Sequence, residues 1–451
     1  MSKPKNPLQY IYRNNFLKSV LTISSGVIIG QAINFAGMPV IGRLYAPEDI
    51  GDYTSITANA GVISAIACLG MMTVFMLPEK DEEARALSKF VSKSTLFITT
   101  LIVFLLWITQ NLFRAYYIST ISYNMSLIVL WFYIIFYNIS NVCYAYVNRQ
   151  KLYKVLFWNP IIAATINIVA GIILGLLNAG FLGYVFAHIL SFAANILHLL
   201  RHANAFAQID KKLYNNKMII KEYKQFPIFQ MPANLVSSLR TQIETQTIAS
   251  IFSSTSLGMY SMAMRILSLP VSLLATPINR VYYQEANQRY ISGEDIGNFS
   301  FNILKTNIKI AMIPIALVII FGEWIFAVFL GEQWREAGTF AAIMAIYQLM
   351  NFCAGCLSGG FIIIKKNHIN LAISVYYLIS SAITFAISYY FITSVYLSLC
   401  LMCFFGISGV IVSQGIFFKL TGVTWHKYCK FILVYILMPV FIFWCIRLML
   451  W

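Results

Sequence analysis

Of 451 residues, 59% are hydrophobic and 11% charged, with a formal net charge of +16. A soluble domain is about 45–50% apolar and about 25% charged, so this composition excludes a soluble enzyme or regulatory domain and makes lipid the solvent for most of the chain. The eight cysteines lie almost entirely in apolar runs, and neither Cys353-Ala-Gly-Cys356 nor Cys400-Leu-Met-Cys403 has a His or an acid nearby in sequence; both pairs read as small buried hydrophobes, not metal or redox sites.

The chain opens on the basic segment MSKPKNPLQYIYRNNFLKSV, and the apolar stretch after it lacks an A-x-A-like cleavage site. It reads as a retained first span. Polar breaks then delimit helices over 17–41, 51–77, 90–111, 123–147, 154–177, 181–200, 226–251, 258–283, 307–330, 337–364, 369–393 and 397–419, with a further apolar run at 429–450. Each is long enough to cross a hydrocarbon core of about 30 Å. The expectation is an all-α polytopic membrane protein with about twelve core helices and a candidate thirteenth.

Lys and Arg set the orientation. With the N-terminus cytoplasmic, inner segments hold 26 of them, and outer segments hold only Arg43, Arg114 and Arg335. Arg240 and Arg265 fall inside spans, and Arg447 lies near the end. This is the positive-inside pattern, so the basic excess reports topology rather than a nucleic-acid partner.

One turn is made twice. Residues 43–56 read RLYAPEDIGDYTSI, and 250–263 read SIFSSTSLGMYSMA. In register, Leu44 falls on Ile251, Tyr45 on Phe252, Ile50 on Leu257, Gly51 on Gly258 and Tyr53 on Tyr260. Six spans separate the copies, so they share one orientation. That predicts two six-helix bundles related by a pseudo-two-fold axis along the membrane normal: residues 1–200, a basic cytoplasmic linker 201–224, residues 225–420, and a tail 421–451 with the extra helix. Gly51 and Gly258 are expected to allow a tight turn into the next helix, and Tyr53 and Tyr260 to lie at the membrane interface. Glu48 and Asp49 complement a helix N-terminus, and Ser254, Thr255 and Ser256 would cap the same position by hydroxyl.

The stretch NFAGMPVIGRLYAPEDIGDYT, Asn34 to Thr54, resembles the first helix-turn-helix of polysaccharide flippases of the Wzx type, in the multidrug/oligosaccharidyl-lipid/polysaccharide exporter superfamily. Tyr260-Ser-Met-Ala-Met-Arg265-Ile-Leu-Ser-Leu-Pro270 resembles the superfamily's eighth-helix pattern, Tyr…Arg-x-x-x-x-Pro, which is shared with the lipid II flippases. The resemblance covers roughly residues 15–420, and the 429–450 run departs from its twelve-helix pattern. It implies two bundles facing each other across a central cavity, in a bacterial cytoplasmic (inner) membrane. It implies movement of an undecaprenyl-diphosphate-linked oligosaccharide, of the O-antigen or capsule type, to the outer leaflet by alternating access. The partners implied are that lipid-linked oligosaccharide, membrane lipid, a polysaccharide polymerase and a chain-length regulator. No cofactor is implied.

A charge at a helix centre costs about 2.5–3.5 kcal/mol on insertion scales, so in-span charges are the first site candidates. Arg265 is read either as a diphosphate ligand, for which a guanidinium fork is suited, or as a snorkelling or paired side chain. Arg240 and Glu244 share a helix face; they read as an intrahelical pair, or as a substrate cation beside an ion-coupling carboxylate. Gln242 and Gln246 add polarity. In the first half, Gln31, Asn34 and Asn59 are candidate sugar contacts, although such groups, Asn138, Asn141 and Asn167 included, more often bond neighbouring helices. His188 is a candidate proton relay or a packed helix–helix contact. Pro39, Pro160, Pro232, Pro270 and Pro277 interrupt spans and are expected to kink them; Pro78 reads as a helix stop. No Walker loop, metal cluster or nucleophile triad is present, so catalysis is not expected. A cation-coupled multidrug exporter of the same fold is the alternative, with an acidic, aromatic cavity expected; here two arginines and one acid were placed in the spans. A membrane glycosyltransferase or polymerase is the second alternative, and the lack of a large outer loop with paired acids argues against it.

Overall fold

A computed structural model describes residues 15–109, 122–208, 216–269 and 271–450. The first fourteen residues, Arg114, the middle of the 201–224 linker and Pro270 lie outside the described residues. Every regular element among the described residues is helical.

In chain order the long helices are α1 (Asn15–Leu44), α2 (Pro47–Ala67), α3 (Asp81–Ile108), α4 (Tyr123–Arg149), α5 (Tyr153–Leu176), α6 (Gly180–His202), α7 (Met231–Ile251), α8 (Ser254–Leu267), α9 (Thr276–Ile291), α10 (Ile296–Leu330), α11 (Arg335–Cys356), α12 (Asn367–Phe391), α13 (Val395–Leu420), α14 (Trp425–Ile432) and α15 (Met438–Leu450). Single π-helical turns precede α7 and α9 and join α14 to α15. With α8 and α9 counted as one helix and α14 and α15 as another, the described residues make the twelve expected helices and the thirteenth. Residues divide into two compact units, Met1–Ser238 and Leu239–Trp451.

Ten of these helical stretches are long and apolar enough to cross a membrane. The exceptions among the expected spans are α2, α7 and the α8–α9 pair. α8 and α9 are each too short because the span is broken between them, whereas α2 and α7 fall short by composition: α7 alone carries Arg240, Thr241, Gln242, Glu244, Thr245, Gln246 and Thr247. Such faces persist at membrane depth only against protein or water.

Within the first unit, α1 lies on α5 along a seam of small residues. A Cβ at Gly26, Gly30 or Gly37 would overlap Phe157, Pro160 or Ile168, so bare backbone permits the close approach that drives helix association in lipid. Asn138 donates to Ser64 Oγ at 2.9 Å and accepts from Cys68 Sγ at 3.1 Å, an interhelical role. Within the second unit, α10 and α11 touch at Gly322 and Gly338, where a Cβ on either would enter the other's backbone.

Several local expectations are corrected. Helix α2 begins at Pro47 and α8 at Ser254, so Gly51 and Gly258 sit inside helices and form no turn. Pro47 starts α2 because its missing N–H is unneeded at the first helical position, and Asp49 Oδ2 accepts from the Ala46 N–H at 3.1 Å. The hydroxyl cap of α8 comes from Ser253, which accepts from the Ser256 N–H at 3.0 Å, and not from Ser254, Thr255 or Ser256. Span eight is broken after Leu267, and Pro277 is the second residue of α9, where it begins a helix instead of interrupting one. Pro39 and Pro160 lie within α1 and α5. Outside the spans, Asp295 caps α10 by accepting from the Asn298 N–H at 2.9 Å. That backbone donor holds its carboxyl below the usual carboxylate range.

Candidate functional site

Tyr53 and Tyr260, matched by the repeat, are both packed against side chains of their own units. Tyr53 is buried in the first unit. Its ring stacks on His188 of α6 with centroids 4.5 Å apart and meets Tyr184 edge-on at 4.8 Å. Its hydroxyl lies 3.5 Å from that of Tyr133 on α4. Tyr260 lines a polar cavity in the second unit. Each tyrosine is thus packed against the titratable groups of its own unit, because a phenol ring fills apolar space while its hydroxyl serves a polar neighbour.

The second-unit cavity is built around Arg240. From α7, Arg240 Nε donates to Glu244 Oε1 at 2.9 Å, the expected i,i+4 pair. Its Nη2 donates to Tyr347 Oη of α11 at 2.8 Å. Its guanidinium carbon stands 4.3 Å from the ring centroid of Tyr377 on α12, a cation–π contact. Ser381 Oγ of α12 donates to Glu244 Oε1 at 3.1 Å. The cavity left among these groups is about 20 Å³, room for about one water.

Helix α13 makes this packing possible. A Cβ at Gly406 would overlap the Tyr347 ring, and one at Gly409 the rings of Tyr376 and Tyr377. Two glycines three residues apart on one face therefore open the slots for the two aromatic side chains that hold Arg240. We expect Gly406→Val to force Tyr347 off Arg240 and to cost about 1–3 kcal/mol through overpacking. Tyr347→Phe, which removes only the hydroxyl, should cost about 1 kcal/mol. Detergent thermal stability of the two purified variants checks the order; a Gly406→Val protein as stable as the parent contradicts it.

Next to this site lies a larger cavity of about 290 Å³, lined among others by Asn351, Ser358, Asn370, Tyr377, Ser413 and Gln414. Tyr377 borders both cavities.

The remaining candidates are dispersed. Arg265 is half-buried in the last turn of α8, where a cation complements the helix dipole, and it does not line the Arg240 cavity. In the first unit, Gln31 and Asn34 are half-buried on α1, and Asn59 Nδ2 donates to the Ser55 carbonyl of its own helix at 3.0 Å. The sequence reading missed several groups. Besides Glu244, two acids lie inside expected spans: Asp52 in 51–77, buried in the first unit, and Glu323 in 307–330, which Arg447 of α15 bonds together with Thr339 Oγ1 and the Ile319 carbonyl. Glu323 itself was legible as a charge in an apolar run, but its partner 124 positions away was not. Tyr347, Tyr377 and Ser381 also escaped notice, since aromatic and hydroxyl side chains are common in lipid-spanning helices.

The polysaccharide biosynthesis protein family matches residues 40–339. No curated protein matches the chain. Among solved structures, lipid II flippase MurJ in an inward closed conformation is 14% identical at a TM-score of 0.70, covering 94% of this chain and 92% of its own. An inward-facing multidrug resistance MATE family transporter of the MOP superfamily is 14% identical at a TM-score of 0.59, covering 90% and 99%. A MOP superfamily transporter from Pyrococcus furiosus is 13% identical at a TM-score of 0.51, covering 93% and 99%. Identities this low show a common fold.

Proposed function

The chain belongs to the polysaccharide biosynthesis protein family, and from that membership we propose that it is a flippase. Its substrate is an undecaprenyl-diphosphate-linked oligosaccharide, moved from the cytoplasmic to the outer leaflet of a bacterial cytoplasmic membrane by alternating access. No covalent bond is made or broken. The family match over 40–339, on a fold common to MOP transporters, is the observation that carries this reading. The polar helices α2, α7 and α9 support it, since a sugar and a diphosphate need a path that lipid does not offer. In the second unit, Glu244 is already matched by Arg240, which speaks against an acidic pocket for drug cations. Arg265, Arg240, Gln31, Asn34 and Asn59 are the proposed substrate contacts, with Glu244 and His188 as coupling groups.

Deleting the gene should abolish surface polysaccharide while the lipid-linked repeat unit accumulates on the cytoplasmic leaflet. Leaflet-specific labelling of the carrier-linked sugar measures this. Intact surface polysaccharide in a strain without a paralogue rejects the reading.

A further inference from the structure

The 290 Å³ cavity of the second unit lies between the end of α11, the start of α12 and the end of α13. Small side chains make the room: Ala354 and Gly355 in the last turn of α11, Ser358 just after it, and Ser413 on α13. Asn351, Asn370, Ser413 and Gln414 bring amides and a hydroxyl to the wall, and Phe361, Tyr377 and Phe417 bring aromatic rings. Among the described residues no charged side chain lines it. Apolar walls with a few placed polar groups are the usual make-up of a small-molecule site.

Gln414 carries the sign of a ligand. It is only 6% exposed. Its Oε1 accepts from the Tyr428 hydroxyl at 2.9 Å. Tyr428 is fully buried and needs that acceptor, so the amide nitrogen is left for the cavity. Its Nε2 has no partner among the described residues. A buried donor left unmet is costly, so the cavity must supply an acceptor. Water alone would meet the amide but gain nothing from the rings of Phe361 and Phe417, which stand edge-on at 5.7 Å.

We propose that this cavity is a sugar subsite, which takes one uncharged pyranose ring of the oligosaccharide. The proposal deepens the flippase reading and rests on it for the molecule to which the ring belongs. The wall chemistry selects the class. A diphosphate would need cations, and a drug cation would need an acid; the wall offers neither. A lipid chain would set the amides of Asn351, Asn370 and Gln414 against methylenes, which accept no hydrogen bond. A sugar ring suits both kinds of wall. A hydroxyl or N-acetyl oxygen accepts from Gln414 Nε2, and the C–H faces of the ring lie on the aromatic side chains. The volume equals about ten waters at about 30 Å³ each, room for one hexose and not for a whole repeat unit.

The walls are held in place. The Tyr377 ring is fixed by the Arg240 guanidinium, 4.3 Å from its centroid. Phe417 packs where Gly360 leaves space, since a Cβ there would overlap its ring. Rigid walls lower the ordering cost of binding. Lys365 and Lys366 lie in the chain between Phe361 and Asn370, and Lys419 follows Phe417 by two positions. On the positive-inside reading the cavity is therefore at the cytoplasmic end of the unit, the side from which the proposed substrate is collected.

The test uses the purified full chain in detergent and saturation-transfer NMR, with the methyl glycosides of glucose, galactose, N-acetylglucosamine and rhamnose as probes. At least one glycoside should receive saturation. Ser413→Phe fills the space from a half-buried position on the wall and should remove the signal. Gln414→Leu should weaken binding roughly three- to tenfold, the worth of one neutral hydrogen bond. That change also strips Tyr428 of its acceptor, so Ser413→Phe decides the matter if the Gln414→Leu protein does not fold. Saturation of no glycoside, parental signal in Ser413→Phe, or parental affinity in a folded Gln414→Leu protein overturns the subsite. Binding is read without export, and gene deletion is read without binding. A chain that binds no glycoside yet is needed for surface polysaccharide loses the subsite and keeps the flippase reading. One that binds, yet whose deletion leaves the polysaccharide intact, keeps a sugar site and loses that reading.

Discussion

Arg447→Ala should collapse the membrane abundance of the protein. Arg447 is 6% exposed. It bonds Glu323 of α10, Thr339 Oγ1 of α11 at 3.1 Å and the Ile319 carbonyl at 2.9 Å, so three helices converge on one guanidinium. Its removal leaves Glu323 without its cation, beside the Thr339 hydroxyl that donates to it at 2.7 Å. Breaking a fully buried ion pair from one side costs about 3–5 kcal/mol, chiefly through the charge left behind; Glu323 is 29% exposed, which puts this pair at or below the lower end, still a large share of a typical domain's margin of about 5–15 kcal/mol. Replacing both partners by neutral side chains of similar volume removes the stranded charge. Glu323→Gln with Arg447→Met should therefore recover most of the abundance that Arg447→Ala loses. Quantitative immunoblots of membrane fractions check this, and an Arg447→Ala protein at parental levels contradicts the assignment.

Arg265→Glu should abolish export with the protein still in the membrane. Under the proposed function Arg265 meets the carrier diphosphate, and Glu repels that group. Arg265→Lys keeps the charge without the planar fork and should keep part of the export. Arg265→Ala loses a charge-assisted contact worth roughly 1.5–3 kcal/mol, about one to two orders of magnitude in affinity. The structure adds a control. Arg265 lies in the last turn of α8, where the dipole favours a cation by about 0.3–1 kcal/mol, so Glu there also costs some stability. Abundance must therefore be recorded beside surface polysaccharide in a complemented deletion strain. Normal export by an abundant Arg265→Glu protein removes this residue from the site.

Hydropathy and charge accumulate along a chain whatever its tertiary contacts. For that reason the sequence alone determined the all-helical membrane class, the thirteen helices, and the i,i+4 neighbourhood of Arg240 and Glu244. It also carried the family motif around residues 34–54, which lies largely inside the 40–339 match. The sequence missed what depends on three-dimensional neighbours. Gly51 and Gly258 looked like turn formers because glycine permits a turn, yet the flanking Pro47 and Ser253 started the helices earlier. The stacking of Tyr53 on His188 and its edge contact with Tyr184 join residues more than 130 positions apart and could not be read from the chain. Tyr347 reaches Arg240 across 107 positions and Arg447 reaches Glu323 across 124. Only the packing of α7 against α11 and of α15 against α10 decided those pairs, because lipid cannot satisfy a charge and each guanidinium settles where folded helices present an acid, a hydroxyl and a ring together.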